Sequence, residues 1–138
     1  REFVARHNID PRWKSVVVVG DGRLVGSPVA AWFKQQGALV QVVTRTSVDL
    51  ALLKGADIIV SGAGSPGLIK PEMIEEGAVL IDAATSESNG ELRGDADPAC
   101  AAHCSVFTPV PGGVGPIAVA CLFENVVALA ERTNTSTR

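Results

Sequence analysis

Short runs of β-branched residues recur along the chain, separated by segments whose apolar positions return at helical spacing. The first run, Ser15–Val19, reads SVVVV with no alternation. A strand covered on both faces reads this way, as in a parallel sheet. Further strands are predicted over Leu39–Val43, Asp57–Val60, Ala78–Ile81 and Ser105–Thr108. Between them the pattern predicts helices over Val29–Gln36 and Ser47–Lys54, a helical turn over Pro71–Glu75 and a short helix over Asp97–His103. Gly37 suits a left-handed C-cap and Ser47 an N-cap. From Asp82 to Gly94 the chain is polar, with a turn signal at Asn89-Gly90. A long helix is predicted from Ile117 to about Arg132, where Val119, Leu122, Val126, Val127 and Leu129 recur at helical spacing.

Strands that alternate with helices imply right-handed parallel β-α-β units. The expected fold is α/β: a Rossmann-like, doubly wound, mostly parallel sheet with helices on both faces. Residues 15–132 form that single domain. Residues 1–14 read as the end of a helix plus a linker, and residues 133–138 as a frayed polar tail. With 138 residues, 46% of them hydrophobic, the chain is long enough to bury a core. Sheets of this kind bind ligands at the carboxyl ends of their strands, near the point where strand order reverses.

Composition narrows the functions. A net charge of −3 gives no general electrostatic reason to bind nucleic acid or an anionic membrane. Aromatics make up 4% and Tyr is absent, which argues against stacking platforms for single strands. Prolines and glycines are expected to break every apolar run short of a membrane span. No basic stretch precedes an apolar one at the N-terminus, so no signal peptide is expected. The chain starts at Arg1, and the expectation is that something upstream was removed. Cys100, Cys104 and Cys121 read as reduced thiols of a cytoplasmic protein. His103 beside Cys104 lacks the further ligands a structural zinc needs, so no metal is expected.

The candidate chemistry lies in three glycine-containing loops, each after a strand. Gly20, Gly22 and Gly26 form G-x-G-x-x-x-G between strand and helix. Gly20 permits a tight turn, Gly22 lets a pyrophosphate approach the backbone, and Gly26 lets the helix pack close to the strand. The helix N-terminus then faces the anion. After the second strand stand Thr44, Arg45, Thr46 and Ser47, with no acid before Asp49. NAD sites usually carry an acid there for the ribose 2′-hydroxyl. Arg45 pairs better with a 2′-phosphate, which favours NADP, while Asp21 opposes that choice; NAD stays as the alternative. SGAGSPG, from Ser61 to Gly67, follows the third strand and leaves room for a dinucleotide. In TPVPGGVGP, Thr108 to Pro116, three prolines restrict the backbone and three glycines free it. Such a loop lets a flat ligand approach the main chain.

Together these segments carry a resemblance. VVGDGRLVGSP, GADIIVSGAGSPGLI, GAVLIDA, GELRGD and TPVPGGVGP, in this order and spacing, resemble the methylenetetrahydrofolate dehydrogenase/cyclohydrolase family over nearly the whole chain. The family fold has two domains. The resemblance implies that this chain is the C-terminal NAD(P)-binding domain only, and that REFVARHNID is the helix joining it to the other. The folate substrate would be shared with an N-terminal domain, which carries the catalytic Lys. Lys14, Lys34, Lys54 and Lys70 stand in unlike contexts, so no catalytic residue is expected here. The resemblance assigns cofactor contacts to Gly20, Asp21, Gly22, Arg23, Gly26, Arg45, Ala63, Gly64, Thr85, Gly112, Gly113 and Val114. It also implies a homodimer. Asp21 stands where the family often has a basic residue, Gly22 where it has Ser, and Ala84 where it has Gly in a loop over the nicotinamide. The reaction implied is hydride transfer from 5,10-methylenetetrahydrofolate to NADP, with hydrolysis of the methenyl product following in most members. A stand-alone dinucleotide-binding module without activity is the alternative. A Rossmann dehydrogenase for another substrate also fits the glycines, but leaves TPVPGGVGP unexplained.

Overall fold

A computed structural model describes residues 1–44, 50–88 and 90–135. Helix α1 (Glu2–Arg6) leads into β1 (Ser15–Val19), α2 (Gly26–Gln35), β2 (Leu39–Val43), α3 (Leu50–Lys54) and β3 (Ile58–Ser61). Then come β4 (Val79–Asp82), the strands β5 (Ser86–Ser88) and β6 (Glu91–Arg93), β7 (Val106–Thr108) and α4 (Val114–Thr135). Five strands pair in the order β2-β1-β3-β4-β7, all parallel. The order reverses beside β1, so the switch point lies between β1 and β3.

The SVVVV run is buried on both faces, as its lack of alternation implies. Val17 and Val19 join Leu53, Ile59, Ile69, Leu80 and Cys100 on one side of the sheet. Val16 and Val18 join Val4, Ala30, Phe33, Ile58 and Ile81 on the other. Register keeps these faces together, pairing Val17 with Ile59 and Ile59 with Leu80. Helices therefore cover both faces. Gly37 follows α2 in the left-handed region, at φ 82°.

Several boundaries differ from the sequence expectation. Helix α2 begins at Gly26 rather than Val29, because a residue without Cβ lets the helix start pressed against the preceding turn. Helix α4 begins at Val114 rather than Ile117. Pro116 sits in its first turn, where a missing N–H costs no helical bond. It runs through Thr135, so the first part of the expected tail is helical. The helical turn expected at Pro71 is a 3-10 turn over Pro71–Met73, and the short helix expected at Asp97 is 3-10 over Pro98–Ala102. The polar segment holds an antiparallel hairpin, with Ser86 opposite Arg93 and Ser88 opposite Glu91. Its strands are too short and polar to announce themselves; the turn signal marked the place. The expected cap at Ser47 lies outside the described residues, as does Asn89.

The apolar content of α4 also corrects an expectation. Val114–Arg132 is long and apolar enough to cross a membrane, with mean hydropathy 1.6. Gly115 and Pro116 fall in its first turn and do not interrupt it. None of that stretch is buried.

Asp57 ties the lower end of the sheet together. Its carboxylate accepts the Ser15 N–H at 2.8 Å and the Lys14 ammonium at 3.0 Å. The Ser15 N–H, then Lys14, hold its pKa below the usual 3.8. A depressed carboxylate stabilises the fold above its unfolded pKa and loses that contribution as pH falls through the folded one. Asp57→Ala is expected to cost about 1 kcal/mol at neutral pH, limited by partial solvent exposure. Urea titrations across pH should show the parent–variant difference vanish once the pH falls below the folded pKa.

Candidate functional site

At the carboxyl ends of β1 and β3, two turns interlock through bare backbone. Gly20 donates its N–H to the Val43 carbonyl at 2.7 Å, which fastens the β1 turn to the end of β2. Its φ is 101°, and a Cβ there would lie 2.8 Å from the Gly62 carbonyl oxygen. At Gly26 a Cβ would strike the Gly20 carbonyl, and at Gly62 it would come within 2.7 Å of Val25. A side chain at any of these positions would push the turns apart. Gly22 differs, since nothing lies within 4 Å of the place its Cβ would take. It faces open space beside a helix start that no side chain caps. Ser27 Oγ donates to the Asp21 carbonyl at 2.9 Å and closes the turn. Asp21 and Arg23 are exposed there.

An apolar cleft of about 460 Å³ lies next to these turns, between the β4 loop and the TPVPGGVGP loop. Thr85, Gly112, Gly113 and Val114 line it together, with Val25 from the β1 turn and Leu92 from the hairpin. Thr108 fixes its base: its hydroxyl accepts the Asp82 N–H at 2.7 Å and donates to the Asp82 carbonyl at 3.2 Å. Gly113 is a packing glycine, because a Cβ would lie 2.9 Å from the Thr108 side chain. Gly112 is exposed, at φ 98°, with open space about it. Ala63 and Gly64 lie on the β3 turn, and a Cβ at Gly64 would be 3.8 Å from Ser86 Oγ. Arg45 lies outside the described residues.

Two buried carboxylates underlie this surface, and the site residues expected from sequence include neither. Asp82, 1% exposed, accepts the N–H groups of Ala84 at 3.0 Å and Ala96 at 2.8 Å. Burial pushes its pKa up despite these bonds. Asp95, fully buried, accepts from Ser61 Oγ and from the Ala63 and Ser65 N–H groups. The only sequence signal was an acid at a strand end and another in GELRGD. Elsewhere, a charged cleft of about 480 Å³ sits at the amino ends of the strands, near Lys14, Asp57 and Glu75. Ligands of doubly wound sheets bind at the other end. Cys100 is a buried thiol pushed up to about 11 by burial, and His103 Nδ1 lies 2.9 Å from Glu76.

The sequence model of the tetrahydrofolate dehydrogenase/cyclohydrolase NAD(P)-binding domain matches residues 1–134. The chain belongs to that family. The bifunctional protein FolD of Staphylococcus aureus strain Newman is 41% identical over 134 residues, 95% of this chain and 46% of the relative. The crystal structure of FolD from Campylobacter jejuni superposes with a TM-score of 0.89 at 34% identity, covering 94% of this chain and 47% of that one. The Trypanosoma brucei methylenetetrahydrofolate dehydrogenase-cyclohydrolase, solved with NADP and an inhibitor, also gives 0.89, at 35% identity over 96% of this chain and 48% of that one. The chain thus spans about half the length of the relatives it matches.

As a tetrahydrofolate dehydrogenase/cyclohydrolase NAD(P)-binding domain, the molecule has a nucleotide-binding fold, and the expected α/β class holds. The chain's own residues fit a dinucleotide: open backbone at Gly22 and an uncapped helix start lie beside the switch point, and the apolar cleft adjoins them through Val25. The two glycines of the turn should separate in experiment. Gly26→Ala is expected to lower stability by about 1–3 kcal/mol through overpacking against Gly20. Gly22→Ala should change it by no more than about 0.5 kcal/mol. Urea unfolding of both variants checks the contrast.

Proposed function

We propose that this chain is the cofactor half of an enzyme that oxidises 5,10-methylenetetrahydrofolate to 5,10-methenyltetrahydrofolate, with cyclohydrolase activity in the whole protein. The adjacency of the open Gly22 turn and the TPVPGGVGP cleft carries this reading. Gly20, Asp21, Gly22, Arg23 and Gly26 form the phosphate end of the site, beside the α2 N-terminus. Ala63 and Gly64 run alongside, and Thr85, Gly112, Gly113 and Val114 form the wall at the reacting end. When bound, the dinucleotide supplies the hydride acceptor. The protein's part is to hold that acceptor against the folate carbon and to keep water out with an apolar wall.

The hydrolytic step needs an acid or base within hydrogen-bond reach of the reacting group. Lys14 pairs with Asp57 at the far end of the sheet, and Lys70 pairs with Asp97 at 3.2 Å. Lys34 and Lys54 belong to α2 and α3. In this reading that group is the Lys that the family resemblance assigns to an N-terminal domain, with residues 1–14 as the connection. The exposed apolar side chains of α4, among them Leu122 and Phe123, support such a remainder as the surface it covers. Three free thiols support a cytoplasmic setting.

The 138 residues alone should bind dinucleotide but not turn over methylenetetrahydrofolate at a useful rate. Orienting the folate accounts for about 7–11 kcal/mol of barrier lowering in favourable cases, and the opposing wall is missing. Absorbance assays for the methenyl product and the reduced cofactor check this, with a full-length relative as positive control. Turnover matching the control would place the catalytic groups in this chain. NADP should bind more tightly than NAD by at most about tenfold, and Arg45→Ala should remove the difference in calorimetric titrations.

A second copy of the chain is the proposed partner. Strand β2 lies at the sheet edge with Leu39 and Val42 exposed, at 62% and 42%. Open edges that carry apolar side chains favour pairing. Sedimentation equilibrium should give a dimer, and the double variant Leu39→Lys, Val42→Lys a monomer.

A further inference from the structure

We propose that Asp95 is a positioning residue for the dinucleotide, acting as the template on which the β3 turn is shaped. The inference rests on the cofactor site proposed above and deepens it. One carboxylate gathers three donors from the turn: Ser61 Oγ at 2.6 Å, the Ala63 N–H at 2.7 Å and the Ser65 N–H at 2.5 Å. The first two bind Oδ2 and the third Oδ1, so both oxygens are needed. The turn they shape carries Gly62, which packs on Gly20 and Val25, together with Ala63 and Gly64, which the function proposed above sets alongside the cofactor.

The template itself is held independently of the turn. The Asp95 carbonyl accepts the Ile69 N–H at 3.0 Å, and Asp97 donates its N–H to the Ile69 carbonyl at 2.9 Å. The Ala96 N–H is held by Asp82 at 2.8 Å. The Lys70–Asp97 ion pair adds a further tie. These bonds use backbone or other side chains, so they survive loss of the Asp95 carboxylate. Damage should then concentrate in residues 61–65, at the floor of the site, and leave the sheet standing.

Asn is the informative replacement. It keeps the shape of Asp but carries one acceptor oxygen and one amide nitrogen. Whichever way it turns, a donor faces a backbone N–H that cannot rotate away. Charge alone predicts the opposite sign: removing a negative group beside an anionic ligand tightens binding. A weakening therefore reports geometry.

The test is calorimetric titration of the purified protein with NADP and with NAD, well below each variant's melting midpoint. Asp95→Asn should raise Kd about tenfold, equivalent to about 1.4 kcal/mol, with the far-ultraviolet circular dichroism retained. Ser61→Ala, which removes one donor and leaves the carboxylate, should raise it about threefold. A purely structural role would lower the melting midpoint and leave both Kd values unchanged, and that result overturns the proposal. If Asp95→Asn does not fold, Ser61→Ala decides alone: an unchanged Kd in the folded variant overturns the proposal. Gly22→Val separates the two readings, because it blocks the phosphate end without touching the template. Abolished binding there with an unaffected Asp95→Asn removes the positioning role and keeps the site. Unaffected binding there with a weakened Asp95→Asn removes the phosphate assignment and keeps the positioning role.

Discussion

The contact of bare backbone between the turns after β1 and β3 is the constraint on which the rest of the site depends. Gly20, Gly26 and Gly62 come so close that no side chain fits between them. Bringing the two strand ends together leaves α2 starting directly above β1, with its first turn free of any side-chain cap. The same approach places Val25 at the border between the turn and the apolar cleft. The open turn at Gly22 and the apolar cleft thus become neighbours through one packing decision.

Loops so poor in side chains have little to hold their own shape. The buried carboxylates supply what the glycines cannot. Asp95 satisfies three donors of the β3 turn, and Asp82 satisfies backbone N–H groups of the β4 loop and of Ala96. Each carboxylate gives up its hydration, and backbone donors offset that loss. For Asp82 the balance leaves the charged form disfavoured, which is why its pKa rises. The chain segment around Gly94 joins the two networks: a Cβ at Gly94 would strike the Asp82 carboxylate. The GELRGD element therefore ties the β3 turn to the β4 loop.

On the outside, α4 shows the opposite economy. It is long, apolar and exposed along Val119, Leu122, Phe123, Val126 and Val127. An apolar helix face of this extent marks an interaction surface. The chain covers under half of the Staphylococcus aureus relative, and a larger protein supplies the missing surface in the function proposed above. Helix α1 lies against α4, so the first and last helices share one side of the domain.

Sequence by itself determined the five strands of the parallel sheet, the α/β class and the glycine-rich loops that follow them. The reason is that unbroken β-branched runs such as SVVVV have no stable home other than a doubly covered strand, and glycine-rich turns between strand and helix suit close approach. The family motifs were legible for the same reason: each is a local backbone requirement written in Gly and Pro. Tertiary structure alone decided which glycines press on protein and which face open space. Gly22, Gly26 and Gly113 look alike in sequence, yet only Gly22 opens to free space. It also decided where α2 and α4 begin: the packed turn leaves no room for a Cβ at Gly26, and the first turn of α4 needs no N–H from Pro116. Asp95 depends on donors 30 to 34 residues away in the chain, and Asp82 on Ala96, 14 residues away, besides its local bond from Ala84. No local pattern encodes a hydrogen bond across that separation, because the bond exists only once the chain segments that carry its two ends lie side by side.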